Sequence, residues 1–193
     1  MNYLTHLYLS DPHPHCLLGN LMGDFVKGRL DDRYPAEIRK GLCQHRKIDS
    51  FAHNHAAFRR SKSRINPVFG HSRGILVDIF YDHFLASNWS DFASVSLETF
   101  AQSVYGLLQE NFDLLPPGLQ RIAPRMIEHD WLVSYREISV VRRVLERLAQ
   151  RLSRPVPLEE AMEDLRENYE GLKNDSFGFI GDARTYLEQE SSC

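Results

Sequence analysis

The sequence predicts an all-α protein, because apolar residues recur with helical spacing along most of its 193 residues and prolines stand at the proposed helix ends. Little of the chain alternates as a strand does. The first residues, NYLTHLYL, fit a strand or a helix, and we expect a helix. The spacing predicts further helices at about 15–27, 35–58, 72–88, 95–112, 117–129, 138–153, 157–173 and 175–190.

The composition favours a single soluble domain over residues 1–193, arranged as a helical bundle. Hydrophobic residues make up 42% and charged residues 25% of the chain, and Pro/Gly breaks are short. No apolar run approaches the roughly 20 residues that a membrane span needs. The start, MNYLTHLYLSD, has neither a basic leader nor a cleavage site, so we expect a cytoplasmic protein. Without a CxxC pair, neither a disulfide framework nor a thiolate zinc site is expected of Cys16, Cys43 and Cys193.

Positive charge is concentrated in one part of the chain. The net charge is -3, yet the segment 27–73 has twelve Lys and Arg against four Asp and Glu. Such a segment attracts an anionic partner or forms a solvated helix face. It contains no nucleic-acid-binding motif and no interleaved aromatic residues, so nucleic acid is not an expected partner.

Polar side chains interrupt the apolar helix faces at four places. In each place two of them are four residues apart, which puts both on one helix face. Burial of an unpaired polar group is costly, so each pair needs an explanation. The pairs are Asn2 with His6, Asn20 with Asp24, His45 with Asp49, and Asp78 with Asp82.

Two of these pairs allow both a structural and a metal-binding interpretation. Asp24 follows glycines in LLGNLMGDFV, and we expect it to be partly buried as a helix-packing acid or as a ligand. His45 and Asp49 form either an ion pair within one helix or a ligand whose tautomer is held by the neighbouring acid.

The apolar segment 75–89 carries Asp78, Asp82 and His83 within six residues. Adjacent helical residues point about 100° apart around the helix axis. Asp82 and His83 can therefore bind the same ion only if both approach it from its edge. Carboxylates and imidazoles without thiolates suit Mn²⁺, Mg²⁺ or Fe²⁺ at least as well as zinc. Asp24, His45, Asp78, Asp82 and His83 are therefore candidate metal ligands, and structural roles in helix packing stay open as the alternative.

This inventory resembles that of the helical HD-type metal phosphohydrolases, although the adjacent pair here is Asp82-His83 instead of His-Asp. A literal His-Asp dipeptide occurs at 129–130, beside polar residues at a predicted helix end. We expect capping or surface roles there.

Five blocks in order resemble the motifs of the bacterial acyl carrier protein phosphodiesterase family: MNYLTHLYLS, GNLMGDFVKG, HRKID, DIFYDHFLASNW and WLVSY. The resemblance implies an all-helical, HD-like fold and Mn²⁺-dependent hydrolysis of holo acyl carrier protein to the apo protein and 4′-phosphopantetheine. It implies a metal-site role for Asp24, His45, Asp82 and His83. Three further residues are expected to be ligands or to position them: Asp78, Asp49 and His6.

For the chemistry, we predict catalytic roles for Asp24, His45 and His83, with either histidine able to protonate the leaving oxygen if it is not a ligand. Five cations are predicted to dock the acidic carrier protein: Arg59, Arg60, Lys62, Arg64 and Arg73. Two alternatives stay open: an HD-like phosphohydrolase of nucleotides or other small phosphoesters, and a non-catalytic helical binding module.

Overall fold

The computed structural model describes residues 2–30, 32–152 and 156–190, and every regular element in these ranges is helical. The all-α prediction is confirmed, as is a helix at the N-terminus. None of the described helices is both long and apolar enough to cross a membrane. The α-helices are α1 (Tyr3–Tyr8), α2 (Pro14–Met22), α3 (Ala36–Asn54), α4 (Ala56–Arg64), α5 (Arg73–Ser87), α6 (Leu97–Glu110), α7 (Pro117–Glu128), α8 (Trp131–Ser134), α9 (Ile138–Ala149), α10 (Ala161–Glu167) and α11 (Tyr169–Gln189).

Several predicted helix boundaries are wrong. The predicted helix 35–58 is two helices, because the extended backbone of His55 ends α3 and begins α4. Towards the C-terminus the break falls at Asn168, earlier than predicted. The helix predicted for 15–27 ends at Met22, and a 3-10 turn, Gly23–Phe25, follows it. The helix predicted for 138–153 ends at Ala149, while Ser153 and Cys193 lie outside the described residues.

Helix α5 lies inside the core and contacts α1, α4, α8, α9 and α11. Apolar residues occur around its whole circumference, and most of its side chains are buried, with Ile75 near its start and Ser87 at its end exposed. Its polar side chains must therefore find partners within the protein or line a cavity. The buried apolar residues include Leu76, Val77, Phe80, Phe84 and Leu85.

Two glycines allow the close approach that positions the polar cluster described below. A Cβ at Gly41 of α3 would lie 2.1 Å from the carbonyl oxygen of Cys16 in α2. A Cβ at Gly23 would lie 2.1 Å from the ring of His45. Real Cβ atoms do not approach other atoms so closely, so glycine at both positions permits α2 and the 3-10 turn to pack against α3.

Candidate metal centre

The imidazoles of His6 and His45 stack where α1, α3 and the 3-10 turn meet. Their ring centroids are 3.8 Å apart and their planes differ by 8°. Asp49 lies against both rings, with Oδ1 3.2 Å from Nε2 of His6 and Oδ2 3.3 Å from Nε2 of His45. These three residues offer ligand atoms that all lie within 4.8 Å of one another. The structure therefore gathers two imidazoles and a carboxylate at one point.

Asp24 completes the open side of this cluster. Its Oδ1 lies 3.6 Å from Nε2 of His45. The side chains of Asp24 and Asp49 are 47% and 45% exposed, whereas His6 and His45 are buried. The cluster thus presents carboxylates to solvent and imidazoles to the interior. Asn20 and Asp24 do not share an α-helical face as predicted, because Asp24 belongs to the 3-10 turn.

The tautomer of His45 is fixed by the backbone. Its Nδ1 lies 2.9 Å from the carbonyl oxygen of Asn20, which can only accept, so Nδ1 carries the proton. Nε2 then faces the carboxylates of Asp24 and Asp49 and needs a proton or a cation between itself and these oxygens. Burial lowers the pKa of His45, but the hydrogen bonds to Asp24 and Asp49 outweigh it and raise the pKa to about 8. The carbonyl of Asn20, not Asp49, is the group that orients this ring.

His6 differs from His45 in its charge. Burial dominates and lowers the pKa of His6 to about 4, although the hydrogen bond with Asp49 opposes this. Its Nδ1 is buried and has no hydrogen-bond partner among the described residues. Burial raises the pKa of Asp49, but the hydrogen bonds from His45 and His6 hold it well below its usual range. The cluster therefore combines a neutral imidazole with an ionised carboxylate.

Asp82 caps the first turn of α1. Its Oδ2 accepts from the backbone N–H of Leu4 at 2.9 Å, and its Oδ1 accepts from the N–H and the hydroxyl of Thr5 at 2.9 and 2.7 Å. The first N–H groups of a helix have no partner within it, so a buried carboxylate there satisfies them. Burial, opposed by these hydrogen bonds, raises the pKa of Asp82 to about 6. Asp82 thereby fixes α1, and with it His6, to α5.

His83 points to a different set of partners. Its Nδ1 lies 2.9 Å from the carbonyl oxygen of Tyr135 and its Nε2 3.0 Å from the hydroxyl of Tyr169. Both ring nitrogens of a neutral imidazole are thus satisfied, and burial lowers the pKa of His83. Asp82 and His83 thus hydrogen-bond to groups outside the cluster, and among the described residues neither of them joins His6, His45 and Asp49 in their group of potential ligands.

Asp78 is close to the cluster without belonging to its group of potential ligands in the described part of the chain. It lines a cavity of about 550 Å³ together with Asn2 and Asp24. Burial, together with the smaller effect of the charges of Asp49 and Asp24, raises its pKa to about 6. Asp78 is therefore within electrostatic reach of the cluster, on its open side.

The predicted docking residues are largely engaged within the protein. Arg60 and Arg64 pair with the buried carboxylate of Asp175 at 2.8 and 3.2 Å. Arg73 donates to the carbonyl oxygens of Gly70 and Lys62. The other two, Arg59 and Lys62, are exposed and half-buried respectively.

Two further sets of polar side chains lie outside the cluster. Asp130 accepts a hydrogen bond from the hydroxyl of Tyr105 at 2.8 Å and has a left-handed backbone with φ 44° at the start of α8. His13, Cys16 and Glu37 are also close together, but burial raises the pKa of the Cys16 thiol to about 12. That thiol stays protonated and donates to Glu37, so the group is a poor cation site.

Comparison with known proteins relates the chain to one family. A model of the family described as "Acyl carrier protein phosphodiesterase" matches residues 1–183. The chain is 31% identical over 180 residues to proteins of that name from Klebsiella pneumoniae subsp. pneumoniae and from Serratia proteamaculans, covering 93% of each chain. It is 29% identical over 178 residues to one from Escherichia coli O139:H28, covering 90% of each chain. No solved structure matches the chain.

Proposed function

The chain belongs to the acyl carrier protein phosphodiesterase family, and on that premise we propose that it is a metal-dependent phosphodiesterase. Its substrate in this proposal is holo acyl carrier protein, and its products are the apo protein and 4′-phosphopantetheine. The observation that carries the proposal is the convergence of His6, Asp24, His45 and Asp49 from three separate segments on one half-open point.

The donor atoms of this cluster fit a divalent cation. Two imidazole Nε2 atoms and two carboxylates, without a thiolate, suit Mn²⁺, which we propose as the ion, with Mg²⁺ and Fe²⁺ as alternatives. A hydrogen bond from Nδ1 of His45 to a backbone carbonyl is the arrangement that typically orients a metal-binding histidine. We therefore assign His6 and Asp49 as ligands beside Asp24 and His45. The sequence alone allowed His6 and Asp49 either to bind the ion or to position its ligands.

The remaining residues act by positioning and charge. A divalent ion bound here would supply a Lewis acid that lowers the pKa of water and offsets the charge of the phosphodiester. Asp82 holds the first turn of α1 so that the ring of His6 stays stacked on His45. The role of His83 as an acid for the leaving oxygen stays a prediction, and its two satisfied nitrogens favour a positioning role.

A direct experiment separates this function from its alternatives. The purified protein is stripped of metal, reconstituted with Mn²⁺ and incubated either with holo acyl carrier protein or with a panel of nucleotides. Release of 4′-phosphopantetheine, seen by mass spectrometry as loss of the arm from the carrier protein, is expected only with Mn²⁺. Turnover of nucleotides alone would favour the HD-like phosphohydrolase. Metal-independent binding without turnover would favour the helical binding module.

A further inference from the structure

A cavity opens beside the cluster and extends along α9. It has a volume of about 550 Å³ and is bordered by the start of α1, by α5, by α8 and by α9. Asp24 belongs both to its lining and to the cluster, so the two are continuous. Its walls are mainly apolar and aromatic: Ile75, Ile79, Trp131, Val140, Val144 and Leu148.

A row of arginines borders the same cavity. Arg143 and Arg147 are one turn apart on α9, and Arg151 follows just beyond its end. All three are exposed, and none has an acidic partner within 4.0 Å in the described part of the chain. Arg60 and Arg64 of α4 contrast with them, because both pair with the carboxylate of Asp175. The α9 row is therefore positive charge that is available to a partner.

We propose that the α9 cavity holds the prosthetic arm of the carrier protein, with its phosphodiester towards Asp24, while Arg143, Arg147 and Arg151 bind the acidic surface of the protein that bears the arm. This inference rests on the proposed function and deepens it. A cavity of this volume is within the range of small-molecule pockets, and apolar walls suit a long arm that is uncharged apart from its phosphate. Complementary charge at the rim orients the protein and accelerates its association.

The charge half of the proposal is tested by reversing the row. In Arg143→Glu/Arg147→Glu, we expect kcat/KM for holo acyl carrier protein to fall at least about tenfold relative to kcat/KM for a small phosphodiester such as bis-p-nitrophenyl phosphate. The dependence of the carrier-protein rate on ionic strength should flatten, because rim charges act through a screened field. The matched control is Arg142→Glu/Arg121→Glu. It makes the same charge change at exposed residues that do not line the cavity. The ratio of kcat/KM for holo acyl carrier protein to kcat/KM for the small phosphodiester should stay within about twofold of wild type.

The cavity half is tested by filling it. Val144→Trp should raise KM for holo acyl carrier protein, whereas inhibition by the apo protein, which lacks the arm, should be unchanged. Inhibition by the apo protein should instead weaken in Arg143→Glu/Arg147→Glu. A thermal melt of Val144→Trp checks its fold, and the smaller Val144→Leu serves if tryptophan is not tolerated.

The outcomes separate the proposed function from the proposed docking of the arm and its carrier. Wild-type turnover of holo carrier protein with equal ratios in the arginine variant and its control would overturn the docking and leave the proposed function standing. The docking on α9 is also overturned if reversing Arg59 and Lys62 of α4 lowers the ratio while reversing the α9 row does not. Absence of turnover by the wild-type protein with Mn²⁺ would overturn both.

Discussion

His45 and His83 are alike at one ring nitrogen and different at the other. Both are buried on helices, and in both Nδ1 lies 2.9 Å from a backbone carbonyl oxygen, that of Asn20 or of Tyr135. Nε2 of His45 faces two carboxylates, whereas Nε2 of His83 meets the hydroxyl of Tyr169. Because Nδ1 has the same kind of partner in both residues, the partner of Nε2 decides what each imidazole can do.

The electrostatic consequences are opposite. Two carboxylates next to Nε2 raise the pKa of His45 against the effect of its burial, and they leave room for a cation in place of the proton. Burial lowers the pKa of His83, and a hydroxyl donor satisfies its lone pair. His45 therefore suits a site that binds positive charge, and His83 suits a neutral structural link between α5, Tyr135 and α11.

The largest effect should come from replacing these two histidines in turn. We expect His45→Gln to lose at least about 100-fold in Mn²⁺ affinity and in kcat/KM, because a ligand and its fixed tautomer are lost. We expect His83→Gln to bind Mn²⁺ with wild-type stoichiometry and affinity. Isothermal titration calorimetry and carrier-protein turnover measure both. Loss of metal by the His83 variant with retention by the His45 variant would reverse the comparison.

The sequence predicts the helices well because their apolar periodicity is a local property. It also identifies His45 and Asp49 as a pair, because a spacing of four residues is local as well. It does not distinguish His83 or Asp82 from ligands, since their partners, Tyr169 and the first turn of α1, are distant in sequence. From the sequence, Asp82 is only a buried acid without an explanation. The pairing of Arg60 and Arg64 with Asp175 is hidden for the same reason.

The second effect concerns Asp82, whose oxygens accept three hydrogen bonds from Leu4 and Thr5. Asp82→Asn replaces one carboxylate oxygen by an NH2 group, which then faces an N–H donor of α1. We expect the free energy of unfolding to fall by about 3 kcal/mol, because a buried donor loses its hydrogen bond to a charged acceptor. Urea denaturation measures it. The control Asp91→Asn changes an exposed acid, and equal losses in the two variants would argue against the capping role.

Titration of the metal-free protein tests the two imidazoles directly. NMR should show His45 with a pKa of about 8 and His83 with a pKa below its ordinary value. Because the folded pKa of His45 is raised, its contribution of about 2 kcal/mol to stability is complete below pH about 6.5 and is lost as the pH rises through about 8. In Asp49→Asn the pKa of His45 should fall. Equal pKa values for the two histidines would remove the electrostatic distinction.

The smallest effect should come from the hydroxyl that satisfies His83. Tyr169→Phe removes the hydrogen bond of 3.0 Å to Nε2, and we expect the free energy of unfolding to fall by about 1 kcal/mol, the usual net value of one such bond. Mn²⁺ affinity should not change, because Tyr169 contacts His83 and not the cluster. Tyr186→Phe on the same helix is the matched control, since Tyr186 stacks on Phe51 through its ring and keeps that contact without its hydroxyl. A loss of Mn²⁺ affinity in Tyr169→Phe alone would show that His83 acts on the metal centre after all.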